Sequence, residues 1–485
     1  MSGAFESVVG LEVHVQLATR TKLFCGCLNV YGADANTNVC SVCTGQPGAL
    51  PVLNALALEL AVRAGLALGC AIAPRTKFDR KNYFYPDLPK GYQISQLERP
   101  VNGEGSLRFV GEDGGERVVR IARAHLEEDA GKTMHPDGDR SSLVDLNRAG
   151  IPLLEIVSFP DLRTPQEAHL YLTELKRRLR YARVSECDME KGSLRCDANV
   201  SIRPVGATGL GTRTEIKNLN SFRNVERALA YEVERQIAVV EEGGEVVQET
   251  RTWREDEERT ETLRSKEEAE DYRYFPDPDL PEFALDEEWV EAIRAALPEM
   301  PDVKRARYVE SLGLPEATAD VLCADRDAAE WFDACVAALP EGGDAKGVAN
   351  AVTGVVLALA NDQGVSIAGL RLTPERLVEA VRLVDDGTIS RQAARKVIAE
   401  LDATDAAPAE VVERLGLAQV SDEEALGTTV DEVIAAQEKV VEDYRGGNEN
   451  ALNALVGGVM KATKGKANPQ LARELLIRRL GGAGG

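Results

Sequence analysis

The sequence predicts an α+β chain in which a sheet-based region comes first and helices follow. Residues up to about 290 alternate short strand-like runs with Gly, Pro and Asp turns, whereas the remainder is rich in Ala, Leu and Glu at helical spacing. The composition changes between Pro278 and Pro301. A length of 485 residues also exceeds what one hydrophobic core usually organises, so roughly two to four domains are expected.

The first strand signal is Val9 to Leu17. Val9, Leu11, Val13, Val15 and Leu17 face one way, which places Glu12, His14 and Gln16 together on the other face. The alternation recurs with His125, Glu127 and Asp129, with Asp197, Asn199, Ser201 and Arg203, and with Arg213, Glu215 and Lys217. If these strands share one antiparallel sheet, carboxylates and imidazoles converge on a concave surface suited to a hard cation such as magnesium. An ordinary solvated sheet face gives the same pattern.

Glu155 differs, because it interrupts the apolar run Ile151 to Val157, and a buried carboxylate must be paired, metal-bound or protonated. A salt bridge to Arg148 is the structural alternative. The charged segment Arg251 to Pro281, ending in the run Tyr272 to Asp279, reads as an ordered loop leaving the first domain or as a solvated linker.

Helices are expected from about Glu287 to Leu401, where Leu377, Val381 and Val384 make an apolar stripe at helical spacing. A break rich in Pro, Asp and Ala at Asp402 to Pro408 separates them from a final small helical unit running to Leu480. The glycine tail, Gly481 to Gly485, is expected to be disordered.

Four of the nine cysteines form two close pairs, Cys25-Gly26-Cys27 and Cys40-Ser41-Val42-Cys43, a spacing that suits a tetrahedral structural zinc. Four thiolates leave no open position for water, which argues against a catalytic zinc; four reduced thiols are the alternative. Cys70, Cys187, Cys196, Cys323 and Cys335 stand singly and read as small core residues. No basic flank precedes an apolar stretch at the start, and no apolar run approaches the roughly 18 residues that span a bilayer, so a cytoplasmic protein is expected.

A net charge of −23 argues against a broad positive field for nucleic acid. Spread over the whole surface, it reads as adaptation to a halophilic cytoplasm, where the Debye length falls to about 3 Å at 1 M salt and a local basic groove can still bind RNA. Neither a Gly-x-x-x-x-Gly-Lys-Ser/Thr loop nor a properly spaced Gly-x-Gly-x-x-Gly is present. No Gly-x-Ser-x-Gly elbow nominates a hydrolytic nucleophile.

The blocks Gly10 to His14, Lys81 to Gln93, His125 to Asp129, Asp145 to Arg148, Met189 to Ser201, Glu215 to Ser221, Tyr272 to Pro276 and Val459 to Pro469 resemble, in order, the GatB/GatE family of tRNA-dependent amidotransferase subunits. The resemblance covers essentially the whole chain. The GatE branch carries an additional inserted domain, for which 485 residues leave no room, so the GatB branch is the match.

This resemblance implies three parts: a catalytic cradle on an antiparallel sheet (1–290), an all-α domain (291–404) and a small helical tail that contacts tRNA (405–485). It implies a ligase that uses ATP and magnesium to phosphorylate the side-chain carboxylate of Asp-tRNA(Asn) or Glu-tRNA(Gln), which ammonia then amidates. Glu12, His14, Glu127 and Glu155 become the candidates for phosphoryl transfer, with His14, Glu127 and Glu155 on magnesium. Lys81, Arg195, Asp197 and Lys217 fall in family-like blocks as candidate contacts to nucleotide or acceptor end.

In the tail, Lys461, Lys464, Lys466, Arg473, Arg478 and Arg479 make a candidate tRNA contact, or a basic helix face paired with local acids. Structural zinc agrees with the family. The implied partners are a GatA-type amidase that releases ammonia from glutamine, a small bridging GatC-type subunit and the misacylated tRNA. This chain is not expected to generate ammonia itself. A halophilic archaeal source would favour Asp-tRNA(Asn) as substrate.

Overall fold

Val9, Leu11, Val13 and Val15 can all be buried only if one face of their strand is covered along its length, and that requirement puts the first strand in the middle of a large sheet. The computed structural model describes residues 4–136, 141–265, 272–419, 423–463 and 467–481. The strands run in order β1 (Phe5–Gln16), β2 (Arg75–Thr76), β3 (Asp79–Asn82), β4 (Tyr92–Ser95), β5 (Gly105–Val110), β6 (Glu116–Glu128), β7 (Lys132–Met134), β8 (Leu143–Asp145) and β9 (Pro152–Ser158). They continue with β10 (Leu194–Pro204), β11 (Thr214–Leu219), β12 (Glu249–Arg254), β13 (Arg259–Ser265), β14 (Phe275–Pro276) and β15 (Phe283–Ala284).

Eight of these make one sheet in the order β13-β12-β11-β10-β1-β9-β6-β5, with β14-β3-β4 as a smaller sheet of three. The large sheet is antiparallel as expected except at one step: β11 and β12 run parallel. Between them lies the helix α3, and a helical crossover returns the chain in the same direction, whereas a tight turn would have reversed it.

Helices α1 (Ala55–Ala67), α2 (Pro165–Tyr181) and α3 (Phe222–Glu241) cover the apolar face. Each starts on a side-chain cap: Asn54, Thr164 and Ser221 accept backbone N–H groups of the first turn, and Pro165 opens α2 where its missing N–H costs nothing. Leu154, Ile156, Ala124, Leu126, Ala198 and Val200 meet Leu172, Leu175, Val225 and Leu229 in the core. The opposite face of the sheet is left to Glu12, His14, Glu155, Asp197 and their neighbours. A further helix, Glu287–Ala295, also belongs to this first unit, which extends to Pro301, and packs on α1.

The segment read as a loop, Arg251 to Pro281, is corrected by the structure at both described ends. It opens in the β12-β13 pair, and Phe275–Pro276 pairs with β3. Residues 266–271, between those ends, lie outside the described residues. The strand period is hidden because the inward positions carry charge. Arg251 is buried and donates to Thr260 Oγ1 (2.8 Å), while Glu232 of α3, with no solvent exposure, accepts from Arg235 (2.7 Å), Gln236 (2.9 Å) and Thr260 (2.9 Å).

The residues from Asp302 onward form a second unit with two helical cores. One gathers Tyr308, Phe332, Val352, Leu377, Val381 and Leu401, and takes in Val411 and Val412 from the helix Pro408–Leu415; the other gathers Leu426, Leu455, Val459 and Leu476. The stripe of Leu377, Val381 and Val384 faces the first of these cores. Of the glycine tail, residues 482–485 lie outside the described residues. No helix among the described residues is long and apolar enough to cross a membrane.

Glu232 ties α3 to the sheet edge. Burial alone would raise its pKa, but the hydrogen bonds from Arg235, Gln236 and Thr260 outweigh burial and lower it from the ordinary 4.5. Glu232→Ala removes the buried acceptor shared by Arg235, Gln236 and Thr260 and leaves Glu249 as the remaining carboxylate beside Arg235 and Arg251, and a loss of about 3 kcal/mol is expected in urea unfolding at neutral pH. Because the folded pKa is depressed, this contribution is complete above the unfolded value and vanishes as pH falls through the folded one, so the variant and the wild type should converge in acid. A gap that stays constant down to acid pH would show that the carboxylate charge is not what holds the hairpin.

Candidate active site and metal centre

The register of the sheet lines up side chains that the sequence only alternates. His14 stands opposite Arg195 on β10 and opposite Glu155 on β9, and Glu155 stands opposite His125 on β6. Arg195, His14, Glu155 and His125 therefore form one row across four strands, since directly opposed residues share a face. Glu12 and Asp197 oppose each other in the next row.

His14 Nε2 lies 3.4 Å from Glu155 Oε2 and 3.5 Å from Glu127 Oε1, and His125 Nε2 lies 3.6 Å from Glu155 Oε2. Burial disfavours a charge on His14, yet the hydrogen bond to Glu155 and the charges of Glu127 and Glu155 prevail and hold its pKa up to about 9. His125 goes the other way, down to about 4, because its burial dominates. Burial and repulsion by Glu155 raise Glu127 to about 7; Glu155 itself is lowered, its burial outweighed by His125 and His14. Burial, then repulsion from Glu155, Asp197 and Glu215, raises Glu12, which accepts a hydrogen bond from Asn199 Nδ2 at 3.0 Å.

One ligand atom each from His14, Glu127 and Glu155 lies within 4.8 Å of the others, so the three could hold a metal ion. An imidazole and two carboxylates suit a divalent cation that accepts oxygen ligands. Arg148, the alternative partner for Glu155, is engaged elsewhere. It donates to the carbonyls of Ala130 (3.0 Å) and Gly131 (2.6 Å) and lies 3.4 Å from Asp129.

A cleft of about 400 Å³ opens beside this cluster, lined by His14, Lys81, Tyr83, Glu127, Arg195, Asp197 and Lys217. The four candidate nucleotide-side residues thus share the cleft with the acids. Lys217 bridges Asp197 (2.6 Å) and Glu215 (3.1 Å), and Lys81 Nζ lies 4.8 Å from the centre of the Tyr272 ring. Arg195 is held by Asp129 at 2.7 Å. Glu12 lines an adjoining hollow with Val157, Asn199 and Arg213. Sequence reasoning had put Asp129 on the polar face without a role; only the fold reveals that it anchors Arg195 and also accepts from Gln16 Nε2 at 3.2 Å.

The four paired cysteines converge, with Sγ atoms of Cys25, Cys27, Cys40 and Cys43 all within 4.8 Å of one another and Cys40 to Cys43 at 3.9 Å. Tetrahedral ligation at about 2.3 Å per thiolate needs sulfurs about 3.8 Å apart, which this cluster approaches. Cys43 is the thiol pulled down, to about 4, by a hydrogen bond with Cys25 and further by the Lys22 charge. Lys22 went unnoticed in the sequence. It is fully buried, and its Nζ lies 3.6 Å from Cys43 Sγ while donating to Asn38 O at 2.8 Å. Cys70, Cys187, Cys196, Cys323 and Cys335 are buried singly.

In the second unit, Lys461 is exposed at the end of the helix Asn450–Ala462, and Arg473, Arg478 and Arg479 are exposed on the helix Pro469–Leu480. At 3.6 residues per turn Arg473 lies about 140° around the helix from Arg478, so these charges fan across the solvent arc. Arg479 faces Asp431 at 3.5 Å, and Arg473 donates to Asn453 at 3.1 Å. Lys464 and Lys466 lie outside the described residues.

Residues 7–291 match the GatB/GatE catalytic domain, and residues 330–480 match the GatB domain. The chain is 52% identical over 476 residues to the B subunit of the aspartyl/glutamyl-tRNA(Asn/Gln) amidotransferase of Thermoanaerobacter sp. (strain X514), covering 98% of this chain and 99% of the relative. It is 51% identical to the protein of that name from Moorella thermoacetica, covering 98% and 100% of the two chains, and 52% identical to that of Geobacter sulfurreducens, covering 99% and 100%.

If the thiolate cluster is a metal centre, elemental analysis of the purified protein should find one metal ion per chain held there, and Cys40→Ser or Cys43→Ser should lose it with several kcal/mol of stability. Full stability of the metal-free variants would show that the four thiols pack without a metal.

Proposed function

The chain belongs to the GatB/GatE family, and from that premise we propose that it serves as the B-type subunit of a tRNA-dependent amidotransferase, activating the side-chain carboxylate of Asp-tRNA(Asn), Glu-tRNA(Gln) or both. The observation that carries this reading is the convergence of His14, Glu127 and Glu155 beside a cleft lined by Lys81, Arg195 and Lys217.

A carboxylate resists attack by ammonia because its charge lies on the group that must be attacked. In the proposed reaction one oxygen of the substrate carboxylate attacks the terminal phosphorus of ATP and ADP departs. Ammonia then adds to the acyl carbon, loses a proton and expels phosphate, which leaves the amide on the tRNA. Little covalent chemistry falls to the protein here; positioning and charge compensation do most of it. Lys81, Arg195 and Lys217 supply positive charge at the cleft wall, and the anchoring of Arg195 by Asp129 fixes where that charge sits. His14, Glu127 and Glu155 would hold magnesium, which when bound neutralises charge on the transferring phosphoryl group. Glu12, one row along, and Asp197 would complete the acidic surface around it.

The ammonia source lies outside this chain. A glutamine-hydrolysing amidase and a small third subunit that links the two are the partners this reading requires, with an enclosed route between the sites, since ammonia released to bulk water becomes protonated and no longer attacks. The four thiolates would hold a structural zinc, and the tail, residues 405–485 with Lys461, Lys464, Lys466, Arg473, Arg478 and Arg479, would contact the tRNA body. The excess of acidic residues fits a cytoplasm of concentrated salt.

A non-catalytic tRNA scaffold is the second reading, and the buried acids count against it: Glu127 is only 3% exposed and sits within reach of a second carboxylate. A scaffold has no use for such a costly arrangement. In the assembled enzyme at high salt, Glu12→Ala and Glu127→Ala should each lower misacylated-tRNA-dependent phosphate release by about 100-fold or more while tRNA binding persists. Comparing Asp-tRNA(Asn), Glu-tRNA(Gln) and uncharged tRNA in the same assay identifies the substrate. Release unaffected by either substitution would leave the scaffold reading.

A further inference from the structure

The pairing of β14 with β3 sets Phe275 opposite Arg80, 195 residues away in the chain, and the Asn82 N–H donates to the Tyr272 carbonyl at 2.9 Å to extend it. As a result four tyrosine rings follow one another edge to face: Tyr85 to Tyr83 at 6.0 Å between centroids, Tyr83 to Tyr272 at 5.9 Å and Tyr272 to Tyr274 at 6.2 Å. Tyr83 lines the cleft beside His14 and Glu127. At the outer end Phe84 is 78% exposed and Tyr85 55%. The Phe84 ring lies against Gly91, which has φ +73° and where an added Cβ would come within 3.2 Å of Phe84 Cε1. Lys81 sits over the Tyr272 and Tyr83 rings, 4.8 and 5.8 Å from their centres.

We propose that this aromatic track is the stacking platform for the unpaired 3′-terminal nucleotides of the aminoacyl-tRNA, leading the aminoacyl end from the surface into the cleft. The inference rests on the reading of that cleft as the acceptor of misacylated tRNA. A chain with net charge −23 gains little from long-range attraction to an RNA, so affinity near the site must come from contacts that do not depend on net charge, and base stacking on aromatic rings is that kind of contact. The track is continuous with the cleft at Tyr83, and Lys81 places one cation where a backbone phosphate would pass. A path of rings that runs from the exposed Phe84 and Tyr85 to the half-buried Tyr83, Tyr272 and Tyr274, with Lys81 over two of them, suits unstacked bases, which present an apolar face and one negative charge each.

The test is a binding cycle that does not depend on catalysis. Uncharged tRNA, intact or lacking its unpaired 3′-terminal nucleotides, is titrated onto the assembled complex containing either the wild-type chain or the Phe84→Ala/Tyr85→Ala variant, and affinity is read by fluorescence anisotropy. For the wild type, truncating the RNA should weaken binding about tenfold. The variant should bind intact tRNA about tenfold more weakly than the wild type and lose less than about twofold more on truncation, while Phe84→Trp/Tyr85→Phe should behave as wild type. Truncation that costs the variant as much as the wild type, or costs the wild type nothing, overturns the proposal. So does a variant that binds tRNA normally but fails to assemble with its amidase partner, since the rings would then be a protein contact. Phosphate release plays no part in the cycle, so a complex that shows the predicted coupling yet never phosphorylates its substrate would remove the proposed reaction and leave the platform standing.

Discussion

Two carboxylates share the polar face of a sheet with too little water to keep them apart. Glu127 and Glu155 each place an oxygen within 4.8 Å of the other and of His14 Nε2. Two such charges repel by about 3 kcal/mol at an effective dielectric near 20, and burial adds to the cost. The cluster answers by splitting its protons: Glu155 stays ionised, Glu127 is raised to about 7, and His14 is held protonated up to about 9. An imidazolium between two carboxylates occupies the place of a cation, and the proposed magnesium would relieve the same strain with a full double charge.

The surroundings keep that geometry from relaxing. Arg148 grips the carbonyls of Ala130 and Gly131, Asp129 holds Arg195 at the cleft, and the Asp129 N–H donates to the Ile151 carbonyl at 2.8 Å. The loop carrying the four cysteines meets this region from outside. Asn38 N–H donates to Asn147 Oδ1 at 2.8 Å, Asn36 N–H to Asp145 Oδ1 at 3.0 Å, and Lys22 joins Cys43 to the Leu146 carbonyl at 3.4 Å. A continuous set of hydrogen bonds therefore runs from the thiolate cluster through residues 145–150 to the cleft wall. A metal in the cluster would stiffen a loop whose other side positions Arg148.

Much of this was legible from the residues. The alternation in β1 placed Glu12 and His14 on one face, and the spacing of the two cysteine pairs anticipated their convergence, because both depend on local geometry alone. Register does not. That Glu155 faces His14 and His125, and that Arg148 turns to Asp129, follows from which strands neighbour β9, a long-range fact that no window of sequence contains. The β12-β13 pair was missed because Arg251 faces inward and is satisfied by Thr260 beside Glu232 of α3, so no apolar period marks the strand. Lys22 escaped for a similar reason: a lysine is read as surface until its Nζ is found against a thiol and two carbonyls.

If the substrate carboxylate becomes an acyl phosphate in this cleft, one of its oxygens must leave with the phosphate. The assembled enzyme would be given misacylated tRNA whose side-chain carboxylate carries oxygen-18, together with ATP and glutamine, and the released phosphate analysed by mass. Attack by the carboxylate on phosphorus predicts one labelled oxygen in each phosphate formed with the amide. Phosphate that carries no label while amide accumulates would contradict the account, because ATP would then be cleaved without ever bonding to the substrate.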